Sequence, residues 1–138
     1  MGEPNVWSSA KLPDGDGRSA GVTVNGYELS CEIPLDPEPE PAGATPFGLL
    51  AGSLSACTAM SVRTFLQRWG VDPGEVVVDV AFRPGRPPMM ERRVTVEAAV
   101  GPDLREQLAI EVDHTPVTVL LRDALTIRTQ LTTGARSR

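Results

Sequence analysis

The sequence predicts an α+β domain organised around one long helix, and three observations predict it. Residues 45 to 70, TPFGLLAGSLSACTAMSVRTFLQRWG, carry no charge before Arg63. Runs that alternate apolar and polar residues stand on both sides of that stretch. Proline- and glycine-rich breaks separate the runs, in the order strands, long helix, strands, short helices, strand. One domain over 1–138 follows. It comprises an N-terminal hairpin (17–33), a connector (34–44), the central helix (45–70) and a C-terminal β-β-α-α-β portion (75–132).

Thr45-Pro46 opens the helix. A hydroxyl caps free N–H groups, and a proline supplies a φ that is already helical where its missing N–H is not needed. Gly70 closes it. Leu50, Leu54, Cys57, Ser61 and Phe65 recur at three and four, so they share a face. Leu49, Ala56, Met60 and Val62 occupy the remaining circumference, which predicts a helix buried nearly all round. About 17 residues lack charge, at the lower limit for crossing a bilayer, and they are rich in Ser, Gly and Ala. The expectation is a core helix of a soluble protein, not a membrane span.

Before the helix, a short strand is expected around Val6 to Leu12, and PDGDG (13–17) is a turn cluster. Asn25-Gly26 between alternating runs is a hairpin signal. In its second strand Tyr27, Leu29, Cys31 and Ile33 point inward, toward a core that includes the central helix. Residues 34–44, PLDPEPEPAGA, form an extended connector whose Glu38 and Glu40 are solvated and too loosely held for acid–base work. After the helix, Val76, Val78, Val80 and Phe82 alternate with Val77, Asp79, Ala81 and Arg83, PGRPP (84–88) breaks the run, and Met90, Arg92, Val94 and Val96 alternate again. These read as an antiparallel pair. Gly101-Pro102-Asp103 opens a short helix with Leu104, Leu108 and Val112 on one face. Thr115-Pro116 opens another, to about Ala124, and Leu125 to Leu131 reads as a final strand.

At 138 residues with a net charge of −5, the chain has no basic stripe with interleaved aromatics, so nucleic acid is not an expected partner. The first residues show neither a basic segment nor an apolar run, so no secretory leader is expected. Two cysteines in such a chain read as thiols of a reducing compartment such as the cytoplasm. With one histidine, His114, there is little material for a metal cluster or a His-based triad, and neither a metal nor a cofactor is expected.

A cysteine within an apolar helix is ordinarily a small hydrophobe. A thiolate at Cys57 needs a cation, a helix N-terminus or hydroxyl donors to hold it. Arg18, in the turn before the first clear strand, and Thr115, at a helix start, are candidates. Read plainly, Arg18 is a solvated loop residue and Thr115 an N-cap. Phe47, Met60, Phe65, Trp69, Met89 and Met90 would line an apolar pocket or simply fill core. His114 has no evident partner and reads as a surface residue.

These residues together resemble the OsmC/Ohr family. Its members carry a Pro-x-x-Leu-Leu-x-x-x-Leu-x-x-Cys helix, matched here by Pro46, Leu49, Leu50, Leu54 and Cys57, and a downstream Cys-Pro-Val turn, matched in place by Thr115-Pro116-Val117. The resemblance runs from about Gly17 to Leu131. It implies an intertwined homodimer with its active sites at the interface. It also implies reduction of organic hydroperoxides by the Cys57 thiolate, steadied by an arginine from the N-terminal sheet. Arg18 matches that arginine with a one-residue slip. Many members hold the arginine with a glutamate just after the helix-opening proline, where this chain has Phe47 and Gly48.

The second cysteine is replaced by Thr115, which cannot form a disulfide, so the two-cysteine cycle cannot run as it stands. Three readings stay open. An external thiol reductant resolves the Cys57 sulfenic acid; or Cys31 does; or the scaffold is non-catalytic and binds a small apolar molecule or serves as a structural dimer. On any of them the pocket is expected beside Cys57, with Thr115, Phe47 and Met60 lining it.

Overall fold

The computed structural model describes residues 7–32, 43–123, 128, 130, 131 and 134. It divides into two compact units, one drawn from Met1–Ala56 with Val77–Thr95 and the other from Cys57–Val76 with Val96–Arg138.

In the first unit, β1 (Ser8–Lys11), β2 (Ser19–Val24) and β3 (Tyr27–Glu32) form an antiparallel sheet in that order. Asn25 and Gly26 both take positive φ, 49° and 88°, as a two-residue turn matching strand twist requires. The turn sets Val24 opposite Tyr27 and, further along, Ala20 opposite Cys31. Asn25 also holds the outer strand. Its N–H donates to the Trp7 carbonyl, and its Oδ1 accepts from the Trp7 N–H, both at 3.1 Å. Cys31 is buried, as expected from the alternation. Tyr27, expected inward, is 79% exposed, although it pairs with Val24 in the sheet. The connector falls largely on residues 33–42, outside the described residues. Just past it, the Ala44 carbonyl accepts from the Glu32 N–H at 2.6 Å.

The central helix α1 spans Pro46–Arg68. Thr45 caps it as predicted: its Oγ1 accepts from the Gly48 N–H at 3.0 Å, and its carbonyl from the Leu49 N–H at 2.8 Å. At the far end Gly70, at φ 75°, lets the chain reverse. The Val71 N–H reaches back to the Leu66 carbonyl and the Gly70 N–H to that of Gln67, the paired bonds of a Schellman stop.

The expectation of burial all round is not met within this chain. The buried stripe is Leu54, Thr58, Val62 and Leu66, each four residues on. Cys57, Ser61 and Phe65 are half-buried on its flank. Phe47 is 59% and Met60 70% exposed, and Leu50 is exposed too. The described elements supply cover for one side of a helix that is apolar on every side. By length and composition α1 would also suffice to cross a membrane.

β4 (Val76–Arg83) and β5 (Met89–Val96) form a two-stranded sheet. Arg83 Nε donates to Glu91 Oε1 at 2.8 Å near the turn, while the Glu97 N–H reaches the Glu75 carbonyl at the opposite end, so the strands run antiparallel. Both alternate as read from sequence, with Val76, Val78, Val80 and Phe82 half-buried on β4, and Met90, Arg92, Val94 and Val96 on β5.

In the second unit, α2 (Pro102–Val112) buries Leu108 and half-buries Leu104 and Val112. α3 (Pro116–Asp123) begins at Thr115, whose carbonyl accepts from the Val119 N–H. The Thr115 side chain is buried. It shares a buried 2.6 Å hydrogen bond with the Thr118 hydroxyl. The expected final strand falls mostly outside the described residues, and Arg128, Gln130 and Leu131 carry no strand.

Two substitutions test these devices. Gly70→Ala should destabilise by about 1–2 kcal/mol in urea unfolding, because an L side chain resists positive φ although open space surrounds its Cβ. Thr115→Val keeps the volume and removes the hydroxyl pair, and should cost about 1 kcal/mol in the same measurement.

Candidate functional site

Cys57 lies near the middle of α1, at the margin of the buried stripe. At 3.6 residues per turn it is roughly 60° round the helix from Leu54, on the side away from Thr58. That offset leaves the thiol half-buried, neither sealed in the core nor standing free in solvent. No hydrogen bond or ion pair to the Cys57 side chain occurs among the described residues. Cys31, the other thiol, is buried in the first unit, paired across the sheet with Ala20, and also free.

The other sequence-predicted residues divide between the two units. Thr115 and Met60 share the second unit with Cys57, whereas Arg18 and Phe47 belong to the first. Thr115 is 2% exposed, and its hydroxyl is engaged by Thr118. It is a buried structural hydroxyl at the position where the resemblance puts a second thiol. Arg18 is exposed in the segment before β2 and forms no ion pair among the described residues. Phe47, read as a pocket residue, stacks on Phe82 of β4 with ring centroids 4.7 Å apart and planes within 9°. The stack ties the first turn of α1 to the strand. One face of Phe47 is thereby occupied and the rest remains exposed.

Met60 does line a cavity. A depression of about 220 Å³ is bounded by Met60, Ser61, Thr64, Phe65 and Arg68 of α1 and by Glu111 of α2. Sequence reasoning offered Met60 and Phe65 as pocket residues and set Ser61 on the face of Cys57, but it gave Thr64, Arg68 and Glu111 no part in a site. The available signal was spacing: Ser61, Thr64 and Arg68 follow Cys57 by four, seven and eleven residues, which keeps all of them on its side of the helix. His114 is exposed, as read, with Nδ1 2.8 Å from the Ile110 carbonyl at the end of α2. Among the described residues no group of three or more His, Cys, Asp or Glu side chains is arranged to hold a metal.

No family model matches the chain, and no curated protein matches it either. Solved structures do. An osmotic stress induced and detoxification response protein of Psychrobacter arcticus is similar over 86% of this chain and 88% of its own, at 16% identity and a TM-score of 0.69. An OsmC-like protein of Mycoplasma pneumoniae is similar over 87% and 89%, at 11% identity and a TM-score of 0.65. An organic hydroperoxide resistance protein of Legionella pneumophila is similar over 88% and 92%, at 16% identity and a TM-score of 0.55. At such identities the likeness speaks for fold, and it agrees with the helix motif carried by Pro46, Leu49, Leu50, Leu54 and Cys57. The chain has the fold of the OsmC-like and organic hydroperoxide resistance proteins.

Proposed function

We propose that this protein reduces organic hydroperoxides through Cys57, with an external thiol completing the cycle, and that it works as a homodimer in the bacterial cytoplasm. The observation that carries the reading is the half-buried Cys57 thiol on the central helix of a fold shared with an organic hydroperoxide resistance protein. A sulfur at the edge of an apolar stripe is reachable by a hydrophobic peroxide while bulk water is partly excluded.

In the reaction the Cys57 thiolate attacks the terminal oxygen of ROOH. The S–O bond forms, the O–O bond breaks, and the alkoxide leaves as the alcohol after taking a proton. Cys57 is then a sulfenic acid. An external thiolate attacks this sulfur, forming a mixed disulfide and releasing the oxygen as water. A second thiol attacks the mixed disulfide and frees Cys57. The net change is ROOH and two thiols to ROH, water and one disulfide. Thr115 has no part in the electron transfer, since its hydroxyl cannot be oxidised to a disulfide. The charge that steadies the thiolate is assigned to a guanidinium, with Arg18 the candidate retained from the resemblance.

Dimerisation is supported by the apolar surface that this chain leaves uncovered in its first unit. Trp7, Tyr27, Phe47 and Leu50 are all exposed there. Burying such side chains is worth roughly 1.5–3 kcal/mol each, a strong drive to associate.

A second reading is a non-catalytic member of the same fold, binding a small apolar molecule or serving as a structural dimer. It is favoured by Thr115 in the second-cysteine position and by the lack of a hydrogen-bonded or charged partner at Cys57 among the described residues.

Two measurements decide. With cumene hydroperoxide and dithiothreitol, the wild type should consume peroxide and yield a dimedone adduct at Cys57. Cys57→Ser should lose both, and Cys31→Ser should keep both. Wild-type protein that neither consumes peroxide nor traps dimedone leaves the non-catalytic reading. In sedimentation equilibrium the protein should run at twice its 14.7 kDa chain mass, and a monomer at micromolar concentration would remove the dimer.

A further inference from the structure

The depression that begins one helical turn beyond Cys57, at Met60 and Ser61, has a composition that simple packing does not require. Ser61, Thr64 and Arg68 extend from the thiol along one side of α1, each within roughly 40° of Cys57 about the helix axis. Ser61 begins about 6 Å along the axis from Cys57, and Arg68 stands about 16 Å along it. Helical side chains lean toward the N-terminus, so the Arg68 guanidinium is carried back toward the thiol. Met60 and Phe65 supply apolar wall, and half-buried Glu111 supplies a carboxylate from α2. Arg68 and Glu111 line the same cavity, yet neither forms an ion pair among the described residues. A cation and an anion not in direct contact with each other thus bound one depression. A group carrying its own carboxylate and ammonium satisfies both at once, the carboxylate on Arg68 and the ammonium on Glu111.

We infer that this depression docks the external thiol, and that it selects a low-molecular-weight thiol bearing an α-amino-acid group. The thiol's role rests on the hydroperoxide reading, whereas its docking does not require Cys57 to turn over. The chain needs such a site because Thr115 cannot resolve the sulfenic acid. A thiol held by its amino-acid end on Arg68 and Glu111 directs its sulfur up the hydroxyl-lined side of α1. There its thiolate attacks the Cys57 sulfur, the S–S bond forms, the S–O bond breaks, and the hydroxide departs as water with a proton from solvent. A second molecule of the same thiol attacks the mixed disulfide, leaving the oxidised thiol dimer and free Cys57.

The test is calorimetric titration of the reduced protein with S-methylglutathione, whose γ-glutamyl end is an α-amino acid and whose capped sulfur cannot react. Saturable binding is expected. It should weaken about 10-fold or more for the N-acetylated ligand, which lacks the ammonium, and by a similar factor in Arg68→Met. The ligand comparison uses wild-type protein alone, so it stands even if a variant misfolds. Absence of saturable binding, or equal affinity for the two ligands, overturns the inference. Selective binding beside a silent hydroperoxide assay would remove the peroxidase reading and confirm the amino-acid site. Turnover without selective binding would remove the site alone.

Discussion

The structure depends on how little of α1 its own chain covers. Leu54, Thr58, Val62 and Leu66 are buried, and Thr58, Val62 and Leu66 are among the most completely enclosed side chains in the molecule. A repeat of four on a helix of 3.6 residues per turn drifts slowly round the axis, so these residues form one inclined ridge. The remaining positions, from Phe47, Leu50 and Met60 to Thr64 and Arg68, are largely open. Devices at both ends hold the helix in register: the Thr45 hydroxyl at the start, and Gly70 with Val71 at the stop. The Phe47–Phe82 stack adds a contact at the first turn. A helix so fixed presents Cys57 at the border between covered and uncovered surface, and that border is what gives the thiol a chemical opportunity.

Thr115 stands where the resemblance puts a second thiol, and its hydroxyl is engaged locally, against Thr118, at the entry to α3. Its side chain is part of the packing at a helix start. On the proposed hydroperoxide reading, a second molecule resolves oxidised Cys57, and specificity lies in the recognition of that molecule.

Much of the fold was legible because particular residues admit few conformations. Asn25-Gly26 announced a turn that needs two positive φ angles, and Thr45-Pro46 and Gly70 announced the helix ends. The alternation from Val76 to Phe82 and from Met90 to Val96 matched the pleat residue for residue. Less was legible where the pattern carried no direction. A helix apolar on all sides has no preferred face to read, so the sequence singled out Leu50, Cys57 and Phe65 while the buried ridge runs through Thr58, Val62 and Leu66. Tyr27 obeyed the alternation and still lies in solvent, since alternation assigns a face but not the extent of what covers it. At the site, Cys57 and Met60 were legible from residue type. Arg68 and Glu111 were not, because their pairing in one cavity depends on α2 folding beside the end of α1.

Asn25 shows how closely two demands can be tied in one side chain. Its backbone makes the corner of the β2–β3 hairpin, while its amide oxygen and N–H clasp Trp7 and so fasten the strand that β1 begins. Glycine would satisfy the corner and release half of the clasp; most other residues would fail the corner before the clasp mattered. Asparagine is thus held in place by the neighbouring strand as much as by the bend. Drift at this position would loosen the edge of the sheet first, long before the hairpin itself came apart.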